Sequence, residues 1–446
     1  MSVIGNSHLL EAPAPFLSLA APWLMQGLLL ICVTHGNVPF LGQAGTDFYT
    51  GGTSLISATT LYVIRMAIWV GTLFLVMPIT GSVRLLSRDR ILLLALPALA
   101  IVSTAWSTAP KSTIGNALDL MVLTIAGIYI GTALRPDQQM RLIMVTGVLA
   151  AVASLLMAGL FPSQGLDSSG HVGAVKGIFT HKNSCGFFMV LLSTPAFFIR
   201  RTMRIRPLVV WGYGGLCVLL VVLSQSRTAW IDLLCVALAA MGLPLLRAFR
   251  SKDRLVLSGF ATLAAASAGY VIYTSSDAIL AILGKDATFS GRALVWQAVF
   301  AAITKRPLLG YGYMAFFSSL SAGAGSLLST THFVVNHPHN GYLAIWLNLG
   351  MVGLVLVALV VLKAAANTIS AWRLNPYTDW YICLIVLTLV ENLSEVSLVT
   401  ADDLSWLLFV VACIGLHHAA HRAPGESPAP LVQPQASRIR PALVTQ

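Results

Sequence analysis

Residues 337–362 read HPHNGYLAIWLNLGMVGLVLVALVVL, and they decide the fold. No charged residue interrupts the run from Tyr342 to Leu362, and about 20 apolar residues are enough to cross the hydrocarbon core of a bilayer. Just before the run stands Asn340, a residue type whose side chain caps helix starts. His337, Pro338 and His339 precede it. One spanning helix therefore opens on a polar, titratable turn.

Similar runs recur along the chain. Counting outward gives about twelve spans, near 16–33, 54–79, 91–106, 116–133, 142–161, 183–199, 207–223, 230–246, 255–273, 342–362, 378–398 and 404–418. The chain is 57% hydrophobic and only 10% charged, against about 25% charged in soluble proteins. Its mean hydropathy is +0.81. Such a chain cannot cover itself with water-compatible surface, so the bilayer is its main solvent. The fold class read from this is all-α integral membrane.

The net charge of +11 does not indicate nucleic acid, because the basic residues sit in short clusters between apolar runs rather than along one face. They are topology determinants. One set of loops holds 18 of the 27 Lys and Arg, the opposite set holds 8, and Arg65 falls inside a span. The positive-inside rule then puts both termini in the cytoplasm. Residues 1–418 form the membrane domain. The longest loop, 274–341, lies on the outer face between the ninth and tenth spans. The Pro-, Ala- and Ser-rich segment 419–446 reads as a disordered cytoplasmic tail. The first apolar run lacks a basic leader and reads as a retained helix. All six cysteines lie in or beside apolar runs without a CxxC pair, which predicts buried free thiols, no disulfide and no metal.

The minority cations on the outer face are out of place, and that directs attention to four constellations. Ser290-Gly291-Arg292 opens a helical stretch that ends by Pro307, with Trp296, Phe300 and Ile303 as an apolar stripe. Arg292 in a first turn is disfavoured by the helix dipole, which points to an anionic partner. His337-Pro338-His339-Asn340 places His339 at a helix start facing outer water, where a neutral imidazole accepts a proton and free N–H groups attract phosphate. Its alternative is a stiff interfacial turn. Arg227, in the short turn Ser224–Thr228, needs a partner near hydrocarbon, either a ligand or a helix carboxylate such as Asp232. His181-Lys182-Asn183 opens another span, as a binding site or as an interface anchor with an Asn cap. Further along, Glu391, Asn392 and Glu395 fall inside the 378–398 span. Four residues apart, the two carboxylates would share a helix face, serving function or pairing with Arg65 or Arg227. The sequence carries no phosphate-binding glycine loop, no HExxH and no soluble cytoplasmic catalytic domain. A membrane-bound, pre-activated anionic substrate fits these features better than a nucleotide sugar.

At these residues the chain resembles the O-antigen ligase and Wzy-type polymerase family, from the turn Trp106-Ser107-Thr108-Ala109-Pro110 to Glu395. The likeness is most specific over Ser290-Gly291-Arg292, Trp296, Pro307, Gly310-Tyr311-Gly312, His339-Asn340-Gly341-Tyr342-Leu343 and Gly350. The pairing of His181-Lys182-Asn183 with His337-x-His339-Asn340 is similar to the exopolysaccharide-polymerase (ExoQ-like) branch, although Asn336 and Pro338 stand where that branch more often has small residues. The resemblance implies a glycosyltransferase-C-like fold. It also implies metal-independent, inverting glycosyl transfer at the periplasmic face of the inner membrane, from an undecaprenyl-diphosphate-linked donor. Carried over, Arg227 and Arg292 would bind diphosphate and His339 would act at the acceptor hydroxyl. Lys182, His181, His337 and Asn340 would contact substrate, with Glu391, Glu395 and Trp296 in support and no cofactor. Partners would be lipid-linked glycans, membrane lipids, and the flippase and chain-length or export proteins of a polysaccharide pathway. A ligase transferring glycan to lipid A core or protein is the nearest alternative, and a lipid-linked sugar transporter a further one. A transporter should hold its polar groups near the bilayer midplane, and no internal repeat is visible.

Overall fold

The computed structural model describes residues 88–167, 173–202, 205–248, 292–318, 337–372, 375–401 and 403–421, together with a few helical residues between 24 and 72. Among the described residues from Arg88 onward eleven helices stand in order: α1 Arg88–Val102, α2 Pro110–Ala133, α3 Pro136–Leu160, the single turn α4 Pro162–Gly165, α5 Lys182–Thr202, α6 Pro207–Leu223, α7 Arg227–Ala248, α8 Arg292–Ile303, α9 Gly341–Ala371, α10 Thr378–Glu391 and α11 Leu404–His421. A 3-10 turn, Ser103–Trp106, extends α1. Among the described residues the only extended pairing is one isolated bridge, Leu166 to Val175. Among the described residues seven segments are long and apolar enough to cross a membrane, and Pro207–Leu223 is a shorter apolar helix. Eight of the twelve expected spans coincide with these helices, and α10 covers only the first part of a ninth, 378–398. The spans at 16–33, 54–79 and 255–273 lie wholly or largely outside the described residues, as do most of loop 274–341 and the tail beyond His421.

The core is built around α11, in which every residue from Leu404 to Leu416 is buried. A helix apolar on all sides belongs inside a bundle. Close approach is set by Gly127 and Gly131 on α2, four residues apart. A Cβ on either would come within 2.9 Å of Val410 or 2.8 Å of Ile414 of α11, the small-residue packing that lets membrane helices touch. Interhelical hydrogen bonds fix the rotation of the helices: Trp406 Nε1 donates to Thr124 Oγ1 at 2.9 Å, Trp380 Nε1 to Thr194 Oγ1 at 3.1 Å, and Tyr381 Oη to Gln139 Oε1 at 3.0 Å. On the outside of α7, Trp230, Ile231, Leu234, Leu238, Met241 and Leu245 are exposed. That apolar belt suits lipid.

Two features differ from the sequence expectation. The 378–398 segment is not one helix. It stops at Glu391, where Asn392 turns its side chain inward and takes over the chain. Asn392 Oδ1 accepts from Ser397 N and Leu398 N at 3.2 and 2.9 Å, and its Nδ2 donates to Thr388 O at 2.6 Å and Ser397 Oγ at 2.8 Å. The buried stripe of α8 is also rotated. Val295, Val299, Ala302 and Ile303 are buried, and Phe300 is exposed. The helix packs against Phe316, Leu343 and Leu347, because its contact is with α9 and not with a flat surface.

That contact is a splice. At Gly350 (φ 69°, ψ −167°) the backbone of α9 leaves helical geometry. The segment 307–312 fills the gap. Tyr311 N and Gly312 N donate to Leu347 O and Asn348 O at 2.9 and 3.0 Å, while Met351 N and Val352 N donate to Pro307 O and Leu308 O at 2.9 and 3.3 Å. A broken helix at membrane depth is tolerable when neighbouring backbone satisfies its freed groups. A Cβ at Gly350 would lie 2.1 Å from Leu308 O. Gly350→Ala should therefore cost at least about 2 kcal/mol, read as a lower melting temperature in detergent. Gly242→Ala, where a Cβ meets nothing within 4 Å, should change stability by less than about 1 kcal/mol. Equal melting of the two variants would contradict the splice.

Candidate functional site

Four turns meet at the end of the bundle where α5, α7 and α9 begin. The first is His181 at the start of α5, whose Nδ1 accepts from Asn183 N at 3.2 Å. The second is Ser224–Ser226 between α6 and α7, with Gln225 held at φ 52°. Lys182, buried beneath, donates from Nζ to Gln225 O at 3.5 Å. The third is His337–Asn340. The fourth is the chain after Asn392.

The third and fourth turns are stitched to each other. Asn340 caps α9, accepting Leu343 N at 3.0 Å as its sequence position predicts. Its Nδ2 donates to Leu393 O at 3.3 Å, and Gly341 N donates to Asn392 O at 2.9 Å. Trp296 of α8 donates from Nε1 to Pro338 O at 2.8 Å. Trp296 thus anchors the helix that begins with Arg292 to the histidine turn. His339, at φ 50°, places Nδ1 3.2 Å from Glu395 Oε2. His337 and His339 stand with ring centroids 4.1 Å apart, and His337 Nδ1 accepts His339 N at 3.3 Å. One ligand atom each from His337, His339 and Glu395 lies within 4.8 Å of the others, a grouping the sequence reading did not anticipate.

The two carboxylates expected on one helix face are parted. Glu391 ends α10 and meets Asp232 of α7, both carboxylates buried. Glu395, beyond the helix, turns to His339. Asp232 is therefore the partner of Glu391 and not of Arg227, whose side chain is exposed at the start of α7. Arg65, Ser290 and Gly291 lie outside the described residues, and Arg292 is placed as the first residue of α8.

The sequence reading missed Asp167, which lies buried after α4 with Oδ2 3.8 Å from His181 Nε2. Its standing as the only acidic residue between Phe161 and Lys182 was the available signal. It also missed Tyr313, whose hydroxyl donates to Val399 O at 2.9 Å and accepts Ala401 N at 3.0 Å. Beside His337 and Pro338 opens a cavity of about 70 Å³, walled by Tyr313, Phe317, Ile345, Leu349 and Val399. Asn348 lines it with a buried Oδ1 that has no hydrogen-bond partner.

Lys182, Arg227 and Arg292 are the first residues of α5, α7 and α8. Each helix start adds roughly half a positive charge from its unpaired N–H groups. The geometry offers an imidazole backed by a carboxylate, beside cations and helix N-termini.

Residues 212–358 match the O-antigen ligase family (Wzy_C). The match spans Arg227, Arg292, His337, His339, Asn340 and the splice. With seven candidate spans, the protein is a multi-pass helical membrane protein. It is 26% identical over 279 residues to the exopolysaccharide production protein ExoQ of Rhizobium meliloti, which covers 59% of this chain and 62% of that one. To the general O-oligosaccharyltransferase of Acinetobacter baylyi it is 24% identical over 324 residues, 62% of this chain and 53% of that one. The matches thus span less than two thirds of either relative.

Partial burial, the largest influence, pulls the His181 ring below the ordinary histidine range, against Asp167 and Glu395, which pull it up. Folded His181 therefore refuses a proton that the unfolded chain accepts near pH 6.5. Stability should fall as pH drops below that value, until folded His181 is itself protonated. His181→Asn should flatten this slope in melting curves taken between pH 7 and 5. An unchanged slope would contradict the assignment.

Proposed function

We propose that the protein polymerises glycan repeat units carried on a polyprenyl diphosphate, at the periplasmic face of the inner membrane. The observation that carries this reading is His339, held against Glu395 at the mouth of α9, in a segment matching a family of glycan ligases.

The bond to be broken joins an anomeric carbon to diphosphate, already a good leaving group. A sugar hydroxyl of the acceptor attacks that carbon. With Nδ1–H donated to Glu395, the Nε2 lone pair of His339 is free to take the hydroxyl proton. Glu395 stabilises the imidazolium that forms. The electron pair of the broken C–O bond leaves with the diphosphate, whose growing charge is met by Arg227, Arg292 and Lys182. Guanidinium forks bind such groups bidentately. A single displacement inverts the anomeric centre. The cavity beside His337 suits the acceptor sugar, with apolar walls for its C–H face and Asn348 Oδ1 for a hydroxyl.

Charge supports the outward orientation. Arg90, Arg247 and Lys363 stand at the opposite end of the bundle, where Asp89 holds Lys363 at 3.4 Å and Asp379 holds Arg247 at 3.0 Å. By the positive-inside rule that end faces the cytoplasm.

Likeness to the O-oligosaccharyltransferase favours a second reading, ligation of a finished glycan to lipid A core or protein. Donor chemistry would be the same. In a deletion strain at matched membrane expression, His339→Ala, Arg227→Ala and Arg292→Ala should each lower high-molecular-weight polysaccharide by about 10²-fold or more. Single lipid-linked repeats should accumulate. Polymer of normal amount and length would overturn the site. Long lipid-linked chains accumulating without surface glycan would make the protein a ligase.

A further inference from the structure

We propose that His337, His339 and Glu395 form a zinc-binding site, through which a transition-metal ion from the outer solution can close this centre. The three side chains come from two turns that the chain keeps far apart in sequence, and one donor atom of each lies within 4.8 Å of the others. His339 Nδ1 and Glu395 Oε2 are 3.2 Å apart. Two donors bonded to zinc at tetrahedral angles stand about 3.3 Å from each other, so an ion fits this edge with little movement. The His337 ring is already alongside, its centroid 4.1 Å from that of His339. The contact that binding can displace is the 3.3 Å bond from His339 N to His337 Nδ1, long for its type.

The donor set selects the ion. Two imidazoles and one carboxylate suit zinc, whereas magnesium and calcium prefer all-oxygen sets. All three residues are partly exposed, which leaves an entry path and an open coordination position for water.

The surroundings hold the donors in place. Pro338 O is fixed by Trp296, Asn340 is fixed by its cap, and Gly341 N is tied to Asn392 O. His339 at φ 50° keeps a backbone conformation uncommon for residues with a side chain, and in it both rings lie on the same side of the turn. An ion at this position occupies the nitrogen that faces Glu395 and replaces the bond that orients His339.

A competing histidine cluster sits at the opposite end of the bundle, where His417, His418 and His421 end α11 and His417 is engaged by Asp89 at 2.7 Å. The test accordingly includes it. Full-length protein, purified in detergent without a histidine tag and stripped of metal, is titrated with Zn²⁺ by calorimetry. The expected result is one zinc per chain. Affinity should fall about tenfold or more in both His337→Asn and Glu395→Gln, and His418→Asn/His421→Asn should match the wild type. Melting curves confirm that each variant is folded, and Glu395→Asp, which keeps the carboxylate, should retain binding. No saturable binding to the wild type overturns the proposal. So does binding that survives His337→Asn and Glu395→Gln, or that disappears with His418→Asn/His421→Asn. Because binding is read directly, the outcome is independent of the reaction assigned to the site.

Discussion

The structure depends on one interruption, the break in α9 at Gly350 and the backbone that fills it. A spanning helix cannot lose hydrogen bonds at membrane depth without replacements. Segment 307–312 supplies them and thereby fixes itself to the bundle. The same segment reaches the turn after α1: Trp106 Nε1 donates to Leu309 O at 3.1 Å, Thr108 N to Tyr311 O at 3.0 Å, and Thr113 Oγ1 to Tyr313 O at 2.9 Å. Helix α8, which starts with Arg292, is therefore not a free arm. Its position against the His339 turn is set by main-chain bonds on one side and by Trp296 on the other.

A second interruption does the complementary job. Asn392 ends α10 one residue after Glu391 and sends the two carboxylates in different directions. Glu391 faces Asp232 and ties α7 to α10. Glu395 is released to His339. Had α10 continued as a helix, both acids would have faced one way and the histidine would have lacked its carboxylate. Two breaks in otherwise regular helices thus set the position of an imidazole–carboxylate pair next to helix N-termini carrying Lys182 and Arg227.

Much of this was legible in the sequence. Apolar length gave the spans that fall on described residues, 378–398 excepted, and Asn340 read correctly as a cap because capping is local and its signature short. The cations Lys182 and Arg227 stood out because the charge rule did not account for them, and both begin helices. What was not legible was tertiary. Glu391 and Glu395 look like neighbours on a face until Asn392 is seen turning inward. The stripe of α8 has two nearly equivalent readings, and only contact with Leu343 and Leu347 selects the one with Val295 and Val299. Tyr313 acts through Val399 and Ala401, far along the chain, and Asp167 meets His181 across an irregular loop, neither of which spacing reveals. The glycines of Gly310-Tyr311-Gly312 and Gly350 were visible as a motif, but their reason, two backbones sharing hydrogen bonds, needs both segments in view.

In the proposed reaction this centre breaks a bond between glycan and lipid diphosphate. The most direct measurement uses purified protein in nanodiscs with a polyprenyl-diphosphate-linked repeat unit, counting free polyprenyl diphosphate against new glycosidic bonds by mass spectrometry. The expected result is one lipid diphosphate released per bond formed, with neither product in His339→Ala. Glycan elongation without lipid diphosphate release, or equal release by His339→Ala, would contradict it.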